Sequence, residues 1–140
     1  MKTLFSSMAV CCLLTCVSFC SEGRVGQITS EEARDLVREW LTDEGYPTRT
    51  QRFILDSDRE RADFPGFYFL SASYEQEQSA PTLGHFAVNR RSADLWDWEL
   101  CKKLSSSSLR VSQKRLRKEM GLSERDYRKV SRTAPCSGPT

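Results

Sequence analysis

The sequence predicts an α+β domain in which an N-terminal helix packs on an antiparallel sheet of about four strands, followed by one or two basic C-terminal helices. Three observations carry that reading. Residues 29–45 show a helical period between a start and a stop signal, residues 52–98 hold four short apolar segments separated by turn-rich stretches, and the charge reverses after Cys101. From Ser21 to Cys101 there are sixteen acidic and nine basic residues, a net of −7, whereas Lys102 to Thr140 holds eleven basic and three acidic, a net of +8. The formal total of +2 hides this division.

The N-terminus stands apart from the domain. Met1-Lys2 is a short basic start, and Leu4 to Cys20 runs without a charge until Glu22 and Arg24 restore polarity. This is the pattern of a cleavable signal peptide over residues 1–20, its apolar run shorter than the roughly 20 residues that cross a bilayer. An uncleaved anchor is the other reading. Small residues suit cleavage after Cys20 first, and after Gly23 second. Leu13-Leu14-Thr15-Cys16 and Val17-Ser18-Phe19-Cys20 each end as a lipobox does, although Thr15 and Phe19 are bulky for the position before the cysteine. The expected product is therefore exported, periplasmic or secreted, with a lipoprotein anchored through Cys16 or Cys20 as the alternative. No integral membrane span is expected after cleavage. Residues 21–140 suit one small domain, with helix and sheet in 29–100 and a basic helical segment in 101–140.

Thr29-Ser30-Glu31-Glu32 reads as a capping box, the hydroxyl and carboxylate each accepting from the other residue's backbone N–H. Behind it Ala33, Leu36, Val37, Trp40 and Leu41 form one apolar stripe, with Glu31, Arg34, Asp35, Arg38 and Glu39 on the wet face. Gly45 and Pro47 end the helix. Arg52 to Asp56 is a short apolar run with β bias. Phe67 to Tyr74, the longest aromatic and apolar run after the signal, predicts a central strand. Leu83 to Asn89 predicts a third strand. Arg90 to Ala93 then turns into Asp94-Leu95-Trp96-Asp97-Trp98, whose alternation sends Asp94, Trp96 and Trp98 to one side. Further on, Ser107 or Ser108 offers an N-cap for a helix from about Leu109 to Met120, closed by Gly121. Leu109, Leu116 and Met120 take one side of it, and Lys114, Arg115, Arg117 and Lys118 largely the other. Ser123 caps a brief helix through Val130, and the remainder is a tail that Cys136 would pin down.

Four of the six cysteines lie in the signal, leaving Cys101 and Cys136. In an oxidising compartment they are expected to bridge, closing a loop worth about 3–4 kcal/mol on the loop-entropy model. A free Cys101 thiolate beside Lys102 and Lys103 is the competing reading, and Cys136 argues against it. His85, the single histidine, has no partners at a spacing that marks a general base or a metal ligand. Asp94, Asp97 and Glu99 bracket Trp96 and Trp98, a pairing found at sugar sites; strand-edge acids beside packed tryptophans explain it as well. The cations Lys114, Arg115, Arg117 and Lys118 make an anionic-partner patch the most visible candidate site. A nucleic-acid partner is not expected, because the basic segment lacks interleaved aromatics and the export signal removes the chain from most nucleic acid. No cofactor and no metal is called for.

The order of elements, with a strand ending Phe86-Ala87-Val88-Asn89 that turns through Arg90-Arg91-Ser92-Ala93 and resumes at Asp94-Leu95-Trp96, resembles PepSY-like domains and some bacterial immunity proteins. In those modules a Thr-Gly or similar pair stands where this chain has Ser92-Ala93. A cystatin-like helix-on-sheet domain shares the outline. The resemblance covers about residues 29–100 and implies a non-catalytic module that binds or inhibits another protein, often an envelope hydrolase. It carries over no functional residue. The expectation is thus a protein-binding or inhibitory, immunity-like module of the cell envelope. A protein that associates with anionic envelope surfaces through its basic helices is the second reading, and an envelope hydrolase the third.

Overall fold

The computed structural model describes residues 26–58, 64–76 and 81–136. The expected signal peptide, with Cys16 and Cys20, lies outside the described residues. The elements run α1 (Ser30–Asp43), β1 (Phe53–Ser57), β2 (Phe67–Tyr74), β3 (Thr82–Asn89), β4 (Leu95–Asp97), β5 (Lys102–Lys103), α2 (Ser107–Glu119) and α3 (Glu124–Val130). The five strands form one antiparallel sheet in sequence order.

Helix α1 starts where its capping box places it. Thr29 Oγ1 accepts from the Glu32 N–H at 3.2 Å, and Glu32 Oε2 accepts from the Thr29 N–H at 2.8 Å, so two otherwise orphaned amides are satisfied. Its buried stripe is Ala33, Leu36, Val37 and Leu41. Trp40 leans on Phe86, ring centroids 5.6 Å apart. At the other end Gly45 adopts φ +90°, a conformation that only glycine enters without strain.

Period-two alternation gives the sheet two apolar faces. Leu55, Leu70, Ala72, Phe86, Val88 and Leu95 share the main core with α1 and with Leu109, Leu116 and Met120. On the opposite face Phe67, Phe69 and Ala87 gather Phe64, Trp96 and Trp98 into a smaller aromatic cluster. The register makes this division consistent, since Phe69 pairs with Ala87 and Ala87 with Trp96, while Leu70 pairs with Phe86 and Val88 with Leu95.

Three features depart from expectation. The sheet has a fifth strand, β5, too short to leave a period; Trp96 pairs with Lys103 and Asp97 with Lys102. It places β3, not β2, at the centre. Helix α1 does not cover the inner face alone, because α2 lies beside it and contributes to the same core. The Asp43 carboxylate, at the end of α1, accepts from the Ser106 and Ser108 hydroxyls at the start of α2 and links the two helices. Ser106, rather than Ser107 or Ser108, is the N-cap of α2, its hydroxyl accepting from the Leu109 N–H.

β1 is an edge strand, and α1 guards it. Arg34 donates to the Leu55 carbonyl and to the Ser57 hydroxyl, so a guanidinium sits where another strand would pair. Beyond α3 the chain returns to the sheet, with Pro135 buried and Cys136 at disulfide distance from Cys101, Cα atoms 5.8 Å apart. Among the described residues no helix is long and apolar enough to cross a membrane.

Candidate functional site

The turn between β3 and β4 builds the site. Asn89 Oδ1 accepts from the Arg91 and Ser92 amides at 2.9 and 3.0 Å, and the Asn89 amide donates to the Asp94 carbonyl at 2.9 Å. Ala93 is forced to φ +57°, and its carbonyl accepts from Gln113 Nε2 of α2 at 2.9 Å. The consequence is that Asp94 leaves the strand and points inward. Its side chain is 1% exposed, whereas the alternation of residues 94–98 placed it beside the tryptophans. Those tryptophans lie on the outer aromatic face instead.

A buried carboxylate needs partners, and Asp94 has three. Arg117 Nη2 reaches Oδ1 at 2.9 Å, Lys103 Nζ reaches Oδ2 at 2.8 Å, and the Tyr127 hydroxyl donates to Oδ1 at 3.2 Å. Arg117 Nε also donates to the Ser92 carbonyl at 2.7 Å, and its guanidinium lies 3.8 Å from the Tyr127 ring centroid. One acid thereby joins the β3–β4 turn, β5, α2 and α3. Arg117, one of the four cations of the expected anionic-partner patch, is 18% exposed and belongs to this internal cluster.

Above the cluster lies an open cleft of about 720 Å³ between α2, α3 and the β5 end of the sheet. Five cations line it, Lys103, Arg110, Lys114, Arg117 and Lys118, against two carboxylates, Asp94 and Glu124. Leu104 and Leu122 add an apolar lining. The five cations and two carboxylates leave the lining a net +3; Asp94 engages Lys103 and Arg117, and no ion pair joins it to Arg110, Lys114 or Lys118. All three are exposed. Arg110 donates to the Ser105 hydroxyl at 3.2 Å, and neither Lys114 nor Lys118 meets a carboxylate among the described residues. Arg115 stands outside the cleft and lies 3.9 Å from Glu119.

The structure therefore brings together Lys114, Arg117 and Lys118 of the expected patch, in two different roles, and separates Arg115 from them. It adds Lys103, Arg110, Asp94 and Tyr127. Arg110 had a signal: it precedes Lys114 and Lys118 by four and eight residues, one stripe of a helix. Of the remaining candidates, His85 and Glu99 form one pair and Asp97 is engaged elsewhere. His85 Nε2 lies 3.8 Å from Glu99 Oε1, and Asp97 Oδ1 accepts from the Leu100 amide at 3.0 Å, closing the β4–β5 turn. Among the described residues no three His, Cys, Asp or Glu side chains gather as metal ligands do.

No protein-family model and no curated protein sequence matches the chain. A solved structure does. A chain of a type VI secretion system effector–immunity complex from Pseudomonas protegens superposes with a TM-score of 0.62 at 25% sequence identity, over 77% of this chain and 91% of that one. That share exceeds residues 29–100, so the likeness takes in chain beyond the stretch on which the sequence resemblance rested. It agrees with the immunity-protein side of the resemblance, and nothing supports the PepSY-like side.

Proposed function

We propose that this chain is an immunity-like protein, a non-catalytic module of the cell envelope that binds and neutralises a protein partner. The observation that carries this reading is the likeness to a chain of an effector–immunity complex across nine-tenths of that chain's length. Two further features support it. Two of the three candidate acids are used within the fold, Asp94 in its internal cluster and Asp97 in closing a turn. A cysteine pair at disulfide distance suits an exported protein, in keeping with the signal-like N-terminus.

Co-expression with the product of the neighbouring gene, followed by size-exclusion chromatography at low salt, tests the binding reading. A stoichiometric complex and rescue of cells from that product's toxicity are expected. Loss of both results, with the chain folded and in excess, overturns it. Intact mass of the mature protein tests the export half; cleavage near Cys20 and the absence of free thiols are expected, and an unprocessed N-terminus with two free thiols overturns it.

A further inference from the structure

We infer that the cleft between α2, α3 and β5 is the seat for an acidic segment of the protein partner, with apolar residues of that segment resting on Leu104 and Leu122. This rests on the protein-binding reading above and names the surface and the chemistry of its partner. The argument begins with charge. Arg110, Lys114 and Lys118 lie on one stripe of α2 and face a cleft whose internal acid, Asp94, engages Lys103 and Arg117. What is left over is positive. A partner that brings carboxylates removes the repulsion among these cations and gains hydrogen bonds to them.

Shape separates a protein segment from a flat anionic surface or a polyanion. A cleft of about 720 Å³ takes several side chains, and its leucine lining gives an apolar residue somewhere to go. A bilayer or an extended polyanion presents charge without apolar side chains to fill that lining. It would also engage Arg115, which is exposed outside the cleft, as strongly as Lys118. A segment seated in the cleft does not reach Arg115.

The test uses the mature full-length chain, isotopically labelled, titrated with a short alternating Glu–Leu peptide and with its Gln–Leu counterpart. Binding of the Glu–Leu peptide alone is expected, with amide shifts concentrated at Lys114, Lys118 and Leu122. The double exchange Lys114→Glu with Lys118→Glu should weaken it by about tenfold or more, as expected for two charge reversals, and Arg115→Glu should leave it unchanged. A well-dispersed spectrum of each variant establishes that it is folded. Equal binding of the Gln–Leu peptide, equal weakening by Arg115→Glu, or shifts centred elsewhere overturns the assignment. So does tighter binding of phosphatidylglycerol vesicles or inorganic polyphosphate than of the peptide, and so does self-association that consumes the cleft. The two readings fail separately. A partner complex that survives the double exchange at full affinity removes the cleft and leaves protein binding standing; peptide binding through Lys114 and Lys118 without any cellular partner leaves the cleft and removes the immunity-like reading.

Discussion

Asp94 is a charge placed where water does not reach, and the residues around it decide whether that is tolerable. Removing a carboxylate from water costs several kcal/mol, offset only when cations and donors complete its shell. Here Arg117 and Tyr127 donate to Oδ1, while Oδ2 meets the Lys103 ammonium as an ion pair and has no hydrogen-bond partner of its own. Asp94→Ala would leave the Arg117 guanidinium, 18% exposed, without its carboxylate. The expected loss is about 3 kcal/mol in urea unfolding, and a change below about 1 kcal/mol would show that water or a shifted side chain replaces the carboxylate. Pairing Asp94→Leu with Arg117→Met should recover part of the loss, because no charge is then left stranded between them. The helical period sets Arg117 nearer the buried stripe than Lys114 or Lys118, four residues after Gln113 and eight after Leu109, but it names no partner. Its inward role depends on Ser92 and Asp94, twenty-five and twenty-three residues earlier in the chain, and only the fold brings them together.

The elements were legible in proportion to how local their causes are. Helix α1 is specified by its capping box and stripe, both readable within the thirteen residues from Thr29 to Leu41. Thr29→Ala should cost about 1 kcal/mol in thermal or urea unfolding, the usual worth of an N-cap. Strands β1, β2 and β3 follow from apolar runs that neighbouring strands then bury. β5 was missed because two exposed lysines carry no period; what makes them a strand is Trp96 and Asp97 opposite. The N-cap of α2 is not legible within a run of four serines, any of which can cap; Ser106 is the one whose hydroxyl accepts from the Leu109 N–H. The Ser106 and Ser108 hydroxyls hold the Asp43 carboxyl below its ordinary value of 3.8. A carboxyl lowered by folding adds stability above its unfolded pKa, and that share is lost as pH falls through the folded pKa. Asp43→Asn should therefore lower stability at neutral pH, where that share is fully present, and flatten the acid limb of the profile below about pH 4. An acid limb identical to wild type would show that the α1–α2 link is absent in solution. Edge protection belongs to the same scale. Arg34→Ala uncovers the Leu55 carbonyl and the outer side of β1, so concentration-dependent association is expected by light scattering, and a variant that stays monomeric would mean that the edge is guarded by other means.

At the scale of the whole molecule, the C-terminal segment is tied back twice to the β4–β5 region. One tie is the Asp94 cluster, which holds α3 through Tyr127; the other is the Cys101–Cys136 pair, 35 residues apart in sequence. If bridged, the pair should contribute about 3–4 kcal/mol. The double exchange Cys101→Ser with Cys136→Ser is then expected to lower the unfolding free energy by that amount while leaving α3 docked through Tyr127. Unchanged stability, or a reduced wild type identical to the oxidised one, would mean that the thiols are free. The acidic and basic halves, visible in the sequence as −7 and +8, meet at the buried Asp94 carboxylate, which pairs with Lys103 and Arg117, and at Asp43, which accepts from Ser106 and Ser108. Helix α2 divides its labour at the junction. Leu109, Gln113, Leu116 and Arg117 face inward and hold the fold, while Lys114 and Lys118 face the cleft and hold nothing among the described residues. Natural variation can therefore rewrite the two lysines without loosening the domain. The outward stripe of α2 is free to change while the scaffold that carries it stays the same.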